Sequence, residues 1–197
     1  MFIALAVLLV LFIVAFIAFL IVLRKMDFNT FNKLCEKKVR RFAKRKNLLA
    51  VEKLNILNYS RQKLYAHHII FGKKYVYLIT DFLLKGFVKG ELNDNSWVYY
   101  NKMKKKHEYL DNLSKVSDKN IREFAEILGL SNDPIVAICL ITNECDFSIK
   151  SLENNKKMVV HYSTLTKKIK ELESQDIGSF NEEQIYEQYK SIKERNK

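Results

Sequence analysis

Apolar residues form one long uninterrupted block at the start of the chain. From Phe2 to Leu23 the sequence has no charged residue, no Pro, no Gly and no side chain that forms hydrogen bonds. A helix rises about 1.5 Å per residue, so the block would be roughly 33 Å long, enough to cross a bilayer core of about 30 Å. Only a helix satisfies its own backbone groups in lipid within a single segment. The pattern predicts a transmembrane anchor within residues 1–25.

A cleaved signal peptide is the alternative for such a block. No Lys or Arg precedes it, it is longer than the usual apolar region of about 7–15 residues, and it ends in Leu23-Arg24-Lys25 rather than in a small-residue cleavage site. These features favour an anchor. Basic residues follow the block at once, and positive charge near a span is retained in the cytoplasm. We therefore expect a single-pass protein of the cell membrane whose C-terminal domain is cytoplasmic.

Beyond the anchor, apolar residues recur with helical spacing. Phe28, Phe31, Cys35, Val39 and Phe42 follow one another at steps of three and four, with Lys and Arg between them. This spacing predicts a basic amphipathic helix over residues 26–47, as the first part of the soluble domain.

The remainder changes from strand-like to mixed patterns. Short β-branched and aromatic runs predict strands, and Gly72-Lys73-Lys74 predicts the turn of an antiparallel hairpin. The apolar run 135–141 predicts a strand buried on both faces. Predicted strands are 54–57, 65–71, 75–80, 86–89, 96–100, 135–141, 147–149 and 158–162, and predicted helices are 103–113, 121–128, a helix capped by Ser163 or Thr164 and ending at Leu172, and a helix from Asn181 to about Arg195.

This order of elements predicts the fold class. It is α/β or α+β, with a central mixed β-sheet flanked by helices. The expected organisation is one domain over residues 48–175, followed by a C-terminal helix over residues 176–197. The apolar stripe of that last helix, formed by Ile185, Tyr189 and Ile192, either packs on the domain or docks a protein partner.

Positive charge is concentrated next to the predicted anchor. The chain carries a net charge of +12, and the segment from Arg24 to Lys63 has thirteen basic residues against three acidic ones. Such a cluster can hold anionic lipid at about 1 kcal/mol per close cation, or it can attract nucleic acid. The alternative is a topology signal on a solvated helix face. The candidate binding residues are Lys37, Lys38, Arg40, Arg41, Lys44, Arg45 and Lys46, together with Lys104 and Lys105.

Aromatic residues and cysteines add two weaker expectations. Trp97, Tyr99 and Tyr100 precede a lysine run, a mixture that suits single-stranded nucleic acid, although alternation on a strand explains them equally well as half-buried core. The three cysteines have no metal-like spacing and are predicted to be small buried hydrophobic residues.

Residues 66–79, residues 85–90 and Trp97 resemble the nuclease-related domain family, NERD, whose fold belongs to the PD-(D/E)xK nuclease group. In that family a strand with Asp-His precedes a Gly-containing turn and a strand that ends in Glu-x-Lys, followed by a Gly-bounded strand and a Trp. The chain has His67-His68 on its first strand, Gly72 at the turn and Trp97 in the later position. The similarity covers about residues 34–172 and implies a restriction-endonuclease-like fold.

The resemblance implies a degenerate catalytic motif. Such a nuclease needs two carboxylates on a divalent metal and a Lys near the attacking water. The family's Asp aligns with His67, its Glu with Thr80 and its Lys with Phe82. An imidazole, a hydroxyl and a phenyl ring make a poor Mg²⁺ site. We therefore expect no catalytic residue, no metal site and no cofactor.

Three function hypotheses follow, of which one is a purely structural role in a membrane assembly. The first is a membrane-anchored, inactive domain that binds nucleic acid or a protein partner near the membrane. The alternative is a Mg²⁺-dependent DNA nuclease with a rearranged site built from Glu36, Asp81 and Lys85. Since side chains alternate along a strand, Asp81 should point away from its neighbours Thr80 and Phe82. By the same rule, one of His67 and His68 should be packed with a hydrogen bond and the other exposed.

Overall fold

The computed structural model describes residues 12–14, 27–57, 64, 66–91, 93–130, 134–149, 156–175 and 180–196. Residues 12–14 are helical, and the rest of the predicted anchor lies outside the described residues. Within the described ranges, no helix has both the length and the apolar content that a membrane crossing requires.

The first helix, α1, spans Phe28–Lys46. It starts where the side chain of Asp27 accepts a 2.7 Å hydrogen bond from the backbone N–H of Thr30, and it ends at Asn47 in a left-handed conformation. The predicted apolar stripe is confirmed from Phe31 onward, because Phe31, Cys35, Val39 and Phe42 are buried; Phe28 remains 42% exposed.

The remaining elements alternate between strands and helices. The described strands are β1 Leu49–Val51, β2 His68–Phe71, β3 Val76–Phe82, β4 Gly86–Lys89, β5 Ser96–Asn101, β6 Lys106–Asp111, β7 Ile135–Ile141, β8 Cys145–Ser148 and β9 Lys157–His161. The further described helices are α2 Leu113–Leu128, α3 Leu165–Glu173 and α4 Glu182–Arg195.

The strands form two mixed sheets rather than one central sheet. The first has the order β1-β2-β3-β7-β9, in which β1, β2 and β3 are antiparallel neighbours while β7 is parallel to both β3 and β9. The second has the order β6-β5-β4-β8. Strands β4 and β8 follow β3 and β7 in the chain and pair in parallel. The predicted α/β class is confirmed at this level.

Helices cover both faces of the first sheet. On one face α1 and α3 pack against alternate residues such as Tyr77 and Ile138. On the other face α2 and α4 pack against the intervening residues, such as Leu78 and Ala137. All seven residues of β7 are buried for this reason, as the apolar run predicted.

Two predicted elements are wrong. No strand spans residues 54–57, and the short strand β1 lies just before them. The predicted helix over residues 103–113 is instead a turn followed by β6. Its Lys, Met, Glu and Leu residues have high helix propensity, but pairing with β5 along the whole of β6 overrides it. The turn is fixed by Asn101, whose side-chain oxygen accepts hydrogen bonds from the backbone N–H groups of Met103 and Lys104.

The C-terminal helix packs on the domain. Asn181 caps α4 in a reciprocal arrangement with Gln184, Ile192 is fully buried, and the ring of Tyr189 lies edge-on to Phe71 at 5.9 Å. Its apolar stripe therefore contributes to the core. The three cysteines are free and buried, as predicted.

Candidate functional site

The positions that align with the nuclease motif lie at the end of β3, inside the protein. Thr80, Asp81 and Phe82 are at most 9% exposed. The hydroxyl of Thr80 accepts a 3.4 Å hydrogen bond from Asn120 of α2, and Phe82 packs in the apolar cluster that contains Trp97. Asp81 points the other way, toward α1, which confirms the predicted alternation.

Asp81 belongs to a buried polar group beneath α1. Its Oδ2 lies 2.8 Å from Nε2 of His68 and accepts a 2.9 Å hydrogen bond from the side-chain amide of Asn32. The other ring nitrogen of His68 contacts the backbone carbonyl of Glu52. Both ring nitrogens of His68 therefore face acceptors, whereas Oδ1 of Asp81 is buried without a hydrogen-bond partner among the described residues. Burial, and next the carboxylate of Asp81, raise the pKa of Cys35, so this thiol is neutral.

His67 has a separate role at the edge of this group. Its Nδ1 accepts a 2.8 Å hydrogen bond from the backbone N–H of Asp81, and its ring lies edge-on to Phe28 at 5.7 Å. The side chain is 25% exposed. The expectation of one packed and one exposed histidine is therefore right for His68 and wrong for His67, which is half-buried.

The residues of the rearranged-nuclease hypothesis each have a different partner. Glu36 pairs with Arg40 at 2.5 Å, Lys85 pairs with Glu144 at 3.7 Å, and Asp81 is held as described above. No three His, Cys, Asp or Glu side chains in the described part of the chain are grouped so that they could hold a metal ion. The residues present do not fit Mg²⁺, which prefers several oxygen ligands in octahedral geometry.

A basic groove lies between α1 and α3. It has a volume of about 410 Å³ and is formed by two rows of side chains, each at helical steps of four. Residues at such steps lie above one another on the same side of a helix, which applies to the α1 row and to Thr166 and Lys170 of α3. Tyr162 lies in the turn before α3 and extends the second row. The first row is Lys37, Arg41 and Arg45, the second is Tyr162, Thr166 and Lys170, and Leu34, Lys38, Phe42 and Lys46 complete the lining.

The charged groups of this groove are all cations. Five of them, Lys37, Arg41, Arg45, Lys46 and Lys170, have exposed side chains, and none has an acidic partner among the described residues. No carboxylate lines the groove. An arrangement of this kind favours an anion with several oxygen acceptors, because each Arg presents a planar fork of donors and each Lys a point charge.

Lys38 holds the two sides of the groove together. Its ammonium donates hydrogen bonds to the backbone carbonyls of Tyr162 and Ser163, and it lies 4.1 Å from the centre of the Tyr162 ring. Burial lowers the pKa of this lysine. Lys38 therefore positions α1 beside the start of α3, while the exposed cations around it remain available to a ligand.

The other predicted binding residues lie outside the groove. Arg40 bridges Glu36 and Glu52, and Lys44 projects elsewhere from α1. Lys104 and Lys105 are in the turn between β5 and β6, where Lys104 pairs with Glu108 at 2.9 Å.

Sequence reasoning missed the α3 side of the groove. Thr166 and Lys170 are four residues apart on a predicted helix, which is the signal that indicates a common face, whereas Tyr162 is predicted as the end of a strand. The pattern does not show that this face meets α1, because more than 120 residues separate Lys38 from Tyr162.

Comparison with known proteins gave no match to any protein-family model, curated protein or solved structure.

Proposed function

We propose that this chain is a single-pass membrane protein whose domain binds nucleic acid through the basic groove and has lost the chemistry of the nuclease family that it resembles. The observation that carries the proposal is the groove itself. Two helices contribute five exposed cations, and no carboxylate accompanies them.

The cations Lys37 and Arg41 in the middle of α1 repel one another, and neither has an acidic partner among the described residues to compensate for this repulsion. Like charges four residues apart destabilise a helix by about 0.2–0.5 kcal/mol per pair. Arg45 and Lys46 offset this by their position in the last turn, where the helix dipole favours positive charge. Lys37 and Arg41 lie too far from that end. An anion in the groove would relieve the repulsion, which favours a binding role over a purely structural one.

A row of cations suits a polymer of phosphates. Side chains at steps of four are about 5–6 Å apart at their Cβ atoms, so the α1 row offers repeated contacts to an anion that itself repeats. A single lipid head group would use only part of that row. Nucleic acid is therefore the ligand that the geometry favours, and a lipid surface is the competing outcome of the test.

The absence of catalysis is part of the proposal. Thr80 and Phe82 occupy the aligned motif positions and are buried against α2 and the core. A hydroxyl and a phenyl ring cannot replace the Glu and Lys of the motif. The anchor rests on the uncharged run from Phe2 to Leu23. Retention of the protein in membranes after alkaline carbonate extraction tests the anchor, and protease digestion of inverted and right-side-out vesicles tests the cytoplasmic orientation.

The binding experiment uses the full chain in zwitterionic lipid nanodiscs. Anisotropy of labelled duplex DNA is measured over a range of salt concentrations for the wild type, for Arg41→Gln with Arg45→Gln, and for Lys33→Gln with Lys44→Gln. Both double variants lose the same charge from the same helix, but only the first changes the groove. Each lost phosphate contact lowers the slope of log K against log salt by about 0.9.

We expect the groove variant to lose about 1.8 from that slope and the control variant to keep it. Equal losses in both variants would show that general charge, not the groove, attracts DNA. The proposal fails if no nucleic acid binds at low salt. If vesicles that contain anionic lipid bind instead, and the groove variant abolishes this, the ligand of the groove is lipid.

A further inference from the structure

The second sheet has one buried face and one open face. Val88, Trp97 and Tyr99 point inward and pack with Leu113 at the start of α2. The alternate residues of β4, β5 and β6 point outward. The exposed aromatic and apolar residues among them are Phe87, Val98, Tyr100 and Tyr109. We call this outward-facing side the open face.

Apolar and aromatic side chains lie in two neighbouring rows on the open face. Phe87 of β4 is opposite Tyr100 of β5, which is opposite His107 of β6, and the rings of Tyr100 and His107 are 5.2 Å apart. The adjacent row pairs Val98 with Tyr109. Phe87, Val98 and Tyr100 are 39%, 43% and 36% exposed, and Tyr109 is 85% exposed. The aromatic rings of Phe87, Tyr100 and Tyr109 are thus exposed on the same side of the second sheet.

A lysine cluster borders the first row. The turn between β5 and β6 and the first residue of β6 carry Lys102, Lys104, Lys105 and Lys106, directly beyond Tyr100 and His107 in register. Lys104 and Lys106 contact Glu108, which is opposite Tyr99, so these side chains lie toward the inward side of β6 and not on the open face. Lys102 and Lys105 are the exposed members of the cluster outside this ion-pair group, so the edge beside Tyr100 and His107 keeps a positive charge. Aromatic rings beside cations suit unpaired bases and their phosphates, because every base has a face for stacking.

We propose that the open face binds single-stranded nucleic acid, with bases stacked on Phe87, Tyr100 and Tyr109 and the backbone beside Lys102 and Lys105. This inference rests on the proposed function and adds to the basic groove a second contact surface, which is specific for single strands. It also corrects the hypothesis that Trp97, Tyr99 and Tyr100 all stack on bases. Trp97 and Tyr99 are buried, so of these three residues only Tyr100 is available. A duplex keeps its base faces inside and cannot use these rings.

A lipid surface fits the open face less well. Lys89 and Asp146 project from the same side as the rings, since Lys89 is opposite Val98 and Asp146 is opposite Phe87. A carboxylate and an ammonium beside the apolar residues would have to stay out of hydrocarbon. Bases stacked on the aromatic rings would leave the Lys89 ammonium and the Asp146 carboxylate in water.

The test uses the full chain in zwitterionic nanodiscs with a labelled oligothymidine and a duplex of the same length. Tyr109→Leu and Phe87→Leu each remove one ring and keep an apolar side chain, and Tyr186→Leu on α4 is the control, because Tyr186 is exposed outside the open face. Each ring variant should weaken single-strand binding between about fivefold and a hundredfold. Duplex binding should be unchanged in both, and Tyr186→Leu should change neither. Tyr109 is so exposed that its replacement leaves the fold intact.

The outcomes separate this inference from the proposed function. If the ring variants bind the single strand as tightly as the wild type while the groove variants lose binding, the open face is not a stacking surface and the proposed function stands. If neither oligonucleotide binds at low salt, both fail. If the ring variants lose affinity for anionic vesicles and not for the oligothymidine, the open face is a lipid contact and the inference is overturned.

Discussion

The hydroxyl of Tyr77 on β3 donates a 2.6 Å hydrogen bond to the carboxylate of Glu173, the last residue of α3. The same carboxylate accepts a 2.9 Å hydrogen bond from the backbone N–H of Lys73 in the hairpin turn. Glu173 therefore fixes the end of α3 to the turn between β2 and β3. Since α3 forms one wall of the basic groove, this contact also helps to set the position of that wall.

Tyr77 should make the protein less stable at alkaline pH. Burial, and next the hydrogen bond and charge of Glu173, raise the pKa of Tyr77 above its ordinary value. The unfolded chain loses this proton near pH 10 while the folded chain keeps it, so stability falls as pH rises above about 10. Urea unfolding between pH 8 and 11, followed by the fluorescence of Trp97, measures the fall. Tyr77→Phe should make the fall less steep without abolishing it, because the buried cysteines also have raised pKa values, and Tyr186→Phe at an exposed position should leave it unchanged.

The His68 and Asp81 pair should be structural. Removing one partner of a buried pair leaves the other without compensation and costs about 3–5 kcal/mol. We expect losses of that size for His68→Ala and for Asp81→Ala, and a double variant that loses clearly less than their sum. Urea denaturation of all four proteins gives the coupling free energy. An Asp81→Ala variant more stable than the wild type would contradict this role and would point to a functional carboxylate held at a cost to stability.

Introducing Glu and Lys at two of the three positions aligned with the nuclease motif should damage the protein. Thr80→Glu with Phe82→Lys places two charges among buried residues, and we expect a loss of several kcal/mol in the free energy of unfolding. Phe87→Lys on the open face is the control, because Phe87 is 39% exposed. Neither the wild type nor the double variant should cut supercoiled plasmid DNA with Mg²⁺ or Mn²⁺. Metal-dependent cleavage by the wild type that Asp81→Ala and Glu36→Ala abolish would support the rearranged nuclease.

The local sequence pattern predicted an element correctly where a single requirement, such as burial of one face or a helix cap, determined its structure. The stripe of α1 and the apolar run of β7 each have a single periodicity that fits their burial, and Asn181 is a strong cap at the start of α4. The prediction from local pattern was wrong for β6. Its residues favour a helix in isolation, but they form a strand because they pair with β5. The second sheet and the groove depend on contacts between distant segments, which periodicity does not encode.

The buried cysteines should be unreactive in the folded protein. Burial raises the pKa of Cys139 to about 11 and that of Cys145 to about 12, and it also raises the pKa of Cys35. The thiolate is the reactive form, so very little of it is present at pH 8. Mass spectrometry after iodoacetamide treatment at pH 8 should show no labelling without urea and labelling of all three with urea. Ser163→Cys, at an exposed position, should react readily and shows that the reagent is active.

Lys170 gives the sharpest test of the groove, because only the fold places it beside α1. Lys167 is on the same helix but 81% exposed, with its ammonium 4.0 Å from Glu171, and it does not line the groove. Lys170→Gln should lower the salt slope of duplex binding by about 0.9, and Lys167→Gln should leave it unchanged. Both proteins lose one charge, so general electrostatic attraction predicts equal effects. A salt slope that falls equally in the two variants would rule out a specific contact at Lys170. A fall confined to Lys170→Gln would mean that the phosphates contact α3 as well as α1.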